Sequence, residues 1–247
     1  MEFRAGQVLG RTFSVFGKNI VSLGLLAGIF IGPFFIPAVS EYFGGHVWQF
    51  LLCLTLALFA LQATVVYVVF QQLRGDHAGL FRALKVGLSR LLPVTGTILL
   101  LYLALIGAAL PGAVLGFATR SPIVQLLGQN IPMLIVMMMF YVAVPVSVVE
   151  RPGVMMSLKR SQELTEGHRW GIFGIFLVTV MLGVVILMLL VNAANSGSIS
   201  FTVYLVAVLV VMISAALLYS VGVAVTYHDL RLEKDGVSVD ELASVFE

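Results

Sequence analysis

Charge is scarce in this chain. Asp, Glu, Lys and Arg make up 11% of its 247 residues, where a soluble domain carries about 25%. Hydrophobic residues make up 60% and the mean hydropathy is +1.07, so too little polar surface exists to cover a water-soluble fold. That excludes a soluble globular protein and indicates an integral membrane protein. Cysteine is equally short. Cys53 is the single one and lies in an apolar run, which excludes an intrachain disulfide.

Catalytic and ligating patterns are missing as well. The histidines at 46, 77, 168 and 228 are scattered, and none sits in a zinc spacing such as H-E-x-x-H. There is no G-x-S-x-G elbow and no phosphate-cradling glycine loop. His228 stands beside Asp229, but a metal needs further ligands, so the pair is read as an interfacial anchor. No ionisable residue lies inside a span. Such residues cost about 2.5–3.5 kcal/mol at a helix centre and mark proton relays and ion paths. A proton-coupled transporter and a charged-ring channel are therefore disfavoured. Gln62 and Asn192 are the more polar interior residues and are expected to bond neighbouring helices or a loop. The expectation is a protein without catalytic residues, metal or cofactor, and without a nucleic-acid partner.

What is present is a series of apolar runs. A membrane-crossing helix needs roughly 20 apolar residues, which gives spans at Asn19–Ser40, Val47–Phe70, Leu92–Ala118 and Ile131–Val149. Trp170 to His228 contains no charged residue and is too long for one span. The small polar break "NAANSGSIS", Asn192–Ser200, divides it into a fifth and a sixth. Every Lys and Arg except Arg120 then falls on one side, and the positive-inside rule places both termini in the cytoplasm. The basic start and "PAVS" before Glu41 resemble a secretory leader. The apolar stretch, however, exceeds the usual 7–15 residues of such a leader, and six spans fit the charge alternation where five would not.

Each cytoplasmic segment reads as an amphipathic helix. Ala5, Val8, Leu9, Phe13 and Phe16 share one face, opposite Arg4, Gln7, Arg11 and Lys18. Leu80, Phe81, Leu84, Leu88 and Leu91 oppose Arg82, Lys85 and Ser89. Val154, Met155, Leu158 and Leu164 flank Ser157 and Ser161, against Lys159, Arg160 and Glu163. Basic polar faces of this kind suit anionic headgroups, and Arg82, Lys85, Arg90 and Lys159 are the candidate lipid contacts. Leu9, Leu84 and Leu158 lie 75 and then 74 residues apart. This spacing suggests three parallel repeats of helix plus hairpin, at 4–72, 79–149 and 153–227, with a cytoplasmic tail at 228–247. The fold class expected is all-α, with six transmembrane helices arranged as three such hairpins in a single domain.

Three further features carry expectations. Gly24, Gly28 and Gly32 make small-residue spacings suited to close helix packing. Pro33, Pro37, Pro111, Pro132 and Pro145 are placed to kink or break spans around a cavity. Glu150 and Asp229 end spans, where the helix dipole is negative and disfavours an anion, so each acid should find a cation. Arg160, Arg169 and Arg231 are at hand. Glu150 is expected to pair with Arg160, and Asp229 with Arg169 or Arg231. A charge swap of Glu150 and Arg160 should then restore what each single swap loses.

The blocks "YVAVPVSVVERPGVMMSLKRSQELTEGHRWGIFGIF" and "YHDLRLEKDGVSVDELA" resemble bacterial six-span proteins known as the membrane domain of glycerophosphoryl diester phosphodiesterase. The resemblance implies a multi-pass protein of the bacterial cytoplasmic membrane. In the proteins that gave that family its name a soluble catalytic domain follows; the residues after the last span are too few for one, so the enzymatic activity is not expected here. The threefold plan also resembles that of mitochondrial carriers. Their Pro–acid–base signature is missing, so the likeness is architectural alone.

Two functions follow from different classes. One is a lipid- or partner-binding membrane module with a basic cytoplasmic collar, with a protein partner or a second copy as alternatives to lipid. The other is a transporter or flippase for an uncharged or amphiphilic molecule. An enzyme acting on lipid ranks third.

Overall fold

The computed structural model describes residues 3–36, 44, 46–74 and 79–236. Among these residues the chain is helical, with no strand. The helices are α1 (Ala5–Ile31), α2 (Val47–Arg74), α3 (Leu80–Ser89), α4 (Leu91–Thr119) and α5 (Pro122–Met139). They continue with α6 (Ala143–Val149), α7 (Val154–Thr165), α8 (Arg169–Asn195) and α9 (Phe201–Asp235), and a short 3-10 turn, Gly32–Phe35, ends α1. Among the described residues, six helical stretches are long and apolar enough to cross a membrane, α5 and α6 together forming the fourth. The expected end of the first span at Ser40, His77 and the tail beyond Gly236 lie outside the described residues.

Local chemistry explains where the helices break. Arg90, between α3 and α4, leaves helical geometry with φ −97° and ψ 1°, because Pro93 has no N–H to return to the Ser89 carbonyl. Gly167, with φ +86°, separates α7 from α8. No comparable breaker follows Phe16, so α1 runs unbroken from Ala5 to Ile31. The first unit thus lacks the separate surface helix expected from its sequence, and the three units differ in build.

The fourth span starts earlier than Ile131. Pro122 at the first helical turn and the Ser121 hydroxyl, which accepts from the Val124 N–H at 3.4 Å, set its start. Pro suits that position because its missing N–H would have no helical partner there. Arg120, in left-handed geometry at φ 52°, turns α4 into α5. The two helices then touch backbone to backbone. A Cβ on Gly112 would lie 1.9 Å from the Gly128 carbonyl carbon, and one on Gly116 would lie 2.2 Å from Gln125 Cβ. Close packing through glycine therefore operates here. It does not operate at Gly24, Gly28 and Gly32, where nothing lies within 4 Å of a Cβ. Those three line an open apolar groove of about 300 Å³ against Ile213 and Leu217 of α9.

Between α5 and α6 the fourth span is interrupted at residues 140–142. Pro145 cannot donate to the Tyr141 carbonyl, and the Ala143 N–H turns to the Phe140 carbonyl at 3.1 Å. The Met139 carbonyl so loses its ordinary helical donor. Two buried hydroxyls from α7 replace it: Ser161 Oγ donates at 3.2 Å and Thr165 Oγ1 at 3.0 Å. Helix breaks at membrane depth persist where side chains satisfy the freed backbone. Elsewhere Thr12, Thr64, Thr97 and Thr226 satisfy their hydroxyls on the carbonyl four residues back in their own helix.

The core is concentrated at one end of the bundle. Val65–Phe70 of α2, all of α6 and Val221–Tyr227 of α9 are buried around their whole circumference. The opposite halves of α4, α8 and α9 expose Leu103, Ile106, Met188, Leu189 and Leu205 outward, as lipid-facing helices do. Because the spans alternate in direction, α3, α7, the start of α1 and the end of α9 share the packed end. α9 has 35 residues, about 52 Å at 1.5 Å per residue, against a hydrocarbon core of about 30 Å. Its last turns therefore stand clear of the bilayer.

Candidate functional site: a polar collar organised by the last helix

The end of α9 presents polar residues in two rows. Tyr227, Arg231 and Asp235 recur every four residues, and Asp229 and Glu233 form a second row, so each row follows one helical face. Gly236 closes the helix in left-handed geometry at φ 65°, the usual use of glycine at that position.

The first row meets α6 and α7. Glu150, which caps the end of α6, accepts from Arg160 Nε at 3.3 Å and from the Tyr227 hydroxyl at 2.9 Å. Arg231 Nη1 donates to the same Tyr227 oxygen at 2.9 Å and stands 3.7 Å from Glu150 Oε1. Asp235 is shared between Arg160 Nη2 and Arg231 Nε, the latter at 3.5 Å. Arg160 also lies 3.8 Å from Glu163, and Lys234 donates to the Glu163 carbonyl. Two arginines and two acids are thus balanced within one ring, their side chains only 17–26% exposed. Burial by itself lowers the Arg160 pKa, but Glu150 and Asp235 outweigh it, so the pKa ends above its ordinary value.

The second row meets α1 and the start of α8. Asp229 pairs with Arg11 at 2.7 Å and lies 3.0 Å from His228 Nδ1. His228 is buried beside Phe70, and its Nε2 is enclosed without a hydrogen-bond partner. Glu233 lies 3.2 Å from His168 Nε2 and accepts the Phe3 N–H at 3.1 Å. The Phe3 ring meets His168 edge-on at 5.1 Å.

Of the residues proposed for ion pairing, Glu150, Arg160 and Arg231 are brought together. Asp229 is not paired with Arg169 or Arg231; it goes to Arg11, because α1 packs along α9 and delivers its guanidinium there. Arg169 joins neither row. It lies at the first turn of α8 with Nε enclosed, and it has no hydrogen bond or ion pair among the described residues. Arg11, Tyr227, Glu233 and Asp235 were not anticipated. For Tyr227, Glu233 and Asp235 the signal is the four-residue spacing after Thr226, and the helix continues through residues 228–235, where the sequence reading expects a tail. Asn192 donates to Met188 of its own helix at 2.9 Å and not to a neighbour.

The candidate lipid contacts fall elsewhere. α3 packs on α2 through Ala83 and Gly87, where a Cβ on Gly87 would lie 1.8 Å from Thr64 Oγ1. Phe81, 84% exposed, and Leu88 therefore face outward beside exposed Arg82 and Lys85. Lys159 is exposed on α7. These three cations have no hydrogen bond or ion pair among the described residues. Arg90 is half-buried, with Nε enclosed and unpartnered. On α7 the buried face is Ser157, Leu158, Ser161, Leu164 and Thr165, while Met155 points out.

No group of His, Cys, Asp and Glu among the described residues is arranged to hold a metal. The collar's chemistry is that of fixed charge: acids at span ends neutralised by arginines from other helices. No family model matches the chain, and neither a curated protein nor a solved structure matches it.

Proposed function

We propose that this multi-pass membrane protein is a non-enzymatic module of a bacterial cytoplasmic membrane that binds anionic lipid headgroups along a basic cytoplasmic collar. One observation carries the reading: two groups of cations at the packed end differ in what they face. Arg11, Arg160 and Arg231 are taken by internal acids, whereas Arg82, Lys85 and Lys159 point outward unpaired beside exposed Phe81, Leu88 and Met155. Cations next to apolar side chains at a helix surface match a headgroup layer lying over hydrocarbon. Each is worth about 1 kcal/mol near an anionic leaflet. The triple variant Arg82→Gln, Lys85→Gln, Lys159→Gln should therefore weaken association of the detergent-solubilised protein with anionic lipid by roughly a hundredfold. Native mass spectrometry across a salt series measures it. Unchanged lipid retention by the triple variant would end this reading in favour of a protein partner.

The kinship with the six-span membrane domain of glycerophosphoryl diester phosphodiesterase belongs to the same proposal, as do the three parallel repeats. Both rest on the sequence blocks and spacings given above.

A second reading, transport of an uncharged or amphiphilic molecule, draws on one feature. A groove of about 470 Å³ between α1, α2, α4 and α9 includes Gln62, Tyr102, Tyr219 and Ser220 in an otherwise apolar wall. Against it stands the filled core of α2, α6 and α9 at the packed end, which leaves the groove no described continuation. Release of a fluorescent lipid analogue from one leaflet of reconstituted vesicles tests it.

A further inference from the structure

α5 and α8 diverge at the boundary of the bilayer and leave an apolar groove of about 360 Å³. Its α5 wall is Ile131, Leu134, Ile135 and Met138, one helical face of about 10 Å length. Its α8 wall is Arg169, Trp170 and Phe173. The charge sits at one end of the groove and apolar side chains line the rest.

We propose that this groove binds one anionic phospholipid, its phosphate held by Arg169 and one acyl chain laid along Ile131–Met138. The site deepens the lipid-binding reading above and rests on it. Arg169 is the best-placed cation of the packed end for such a role, because the collar leaves it out. The residue is half-buried, its Nε is enclosed without a partner, and no acceptor among the described residues takes its outer Nη groups. The other guanidiniums of the collar, at Arg11, Arg160 and Arg231, are held by carboxylates. A half-buried arginine without a counter-charge favours an anion, and phosphate matches its fork of donors. The first turn of α8 adds to the positive field, since it has no acidic residue and no side-chain cap.

Depth decides the occupant. Trp170 is exposed at the groove mouth, the placement typical of the membrane–water interface. A ligand there must present an anion at the interface and an apolar chain directly below it. A phospholipid joins the two covalently at that depth. A partner helix would have to supply a carboxylate at the same boundary and carry the desolvation cost of placing it there.

The full chain in detergent is titrated with dioleoyl phosphatidylglycerol or dioleoyl phosphatidylcholine, and bound lipid is counted by native mass spectrometry. The wild type should hold one phosphatidylglycerol about tenfold more tightly than phosphatidylcholine, because both offer a phosphate to Arg169 but the choline cation repels the guanidinium and competes for that phosphate. Arg169→Gln should erase that preference, and Arg169→Lys should keep part of it. Arg169 has no internal pair to lose, so both variants should unfold at the wild-type temperature. Ile135→Trp, which fills the groove, should lower occupancy by both lipids. Retention of the phosphatidylglycerol preference by Arg169→Gln overturns the site. If that retention accompanies loss of the preference in the Arg82, Lys85 and Lys159 triple variant, the collar reading stands and only the groove fails. If Arg169→Gln abolishes the one tight lipid while the triple variant loses nothing, the groove stands and the collar reading falls.

Discussion

Exchanging the charges of Glu150 and Arg160 should fail to restore stability, and the reason is geometric. In an isolated pair, Glu150→Arg and Arg160→Glu would each destabilise and the double swap would recover. Here each partner has a second commitment. The new arginine at 150 would face Arg231, which stands 3.7 Å from the present carboxylate. The new glutamate at 160 would face Asp235. Two unit charges about 4 Å apart interact by about 4 kcal/mol at an effective dielectric near 20, and partial exposure of these side chains roughly halves that. Each of the two inverted contacts loses about 2 kcal/mol of attraction and gains a similar repulsion, while only one contact is restored. Relaxation of the long side chains relieves part of the strain. The double swap should then stay at least about 4 kcal/mol below the wild type, roughly 10 °C in midpoint for a chain of this size. The assay is thermal unfolding in detergent, read by loss of the monodisperse peak on size-exclusion chromatography, for wild type, both singles and the double. Recovery of the double swap to within about 2 °C of the wild type would show that Arg231 and Asp235 do not share the site.

Other outcomes follow from packing and topology. Gly112→Ala should destabilise by about 1–3 kcal/mol or more, because its Cβ meets the backbone of Gly128. Gly28→Ala should be neutral or better in the same thermal assay. Ser161→Ala with Thr165→Val should cost about 1–3 kcal/mol, since the Met139 carbonyl is then buried without a donor, while either change alone leaves one donor in place. In a Cys53→Ala background, cysteines at Gly44, Ser121 and Ser196 should react with an impermeant thiol reagent outside sealed cells and one at Ser89 should not; the reverse pattern would invert the topology. Ser161 is unsuitable as an inside marker because it is fully buried, and Lys159 replaces it.

The six spans were legible because hydropathy and the placement of Lys and Arg are bulk properties that the bilayer reads without tertiary detail. Boundaries were less so. A run of roughly 20 apolar residues places the fourth span at Ile131–Val149, whereas Ser121 and Pro122 start its helix earlier. The glycines were misassigned for a related reason. A small-residue stripe shows that a helix can be approached closely, and only the fold decides that Gly112 is approached and Gly28 is not. The Glu150–Arg160 contact was reachable from span-end electrostatics on neighbouring segments. The Asp229–Arg11 pair was not, since it joins residues 218 apart and depends on α1 lying along α9. Arg169 looked like a collar residue by charge and position, but the rotation of α8 turns it toward α5.

The polar rows of α9 also bear on the order of assembly during synthesis. Residues 227–235 reach Glu150, Arg11, His168 and Arg160, and every one of those partners leaves the ribosome earlier. Translation delivers N-terminal segments first, so five spans enter the bilayer while Glu150 still lacks Tyr227 and Arg231. Insertion and tightening are therefore separate events, and the final helix acts as a clasp that fastens helices already in place. A chain stopped after the loop at Ser200 would retain its first five spans and the hold of α7 on Met139, but Arg11 and His168 would lack their acids and Glu150 its tyrosine.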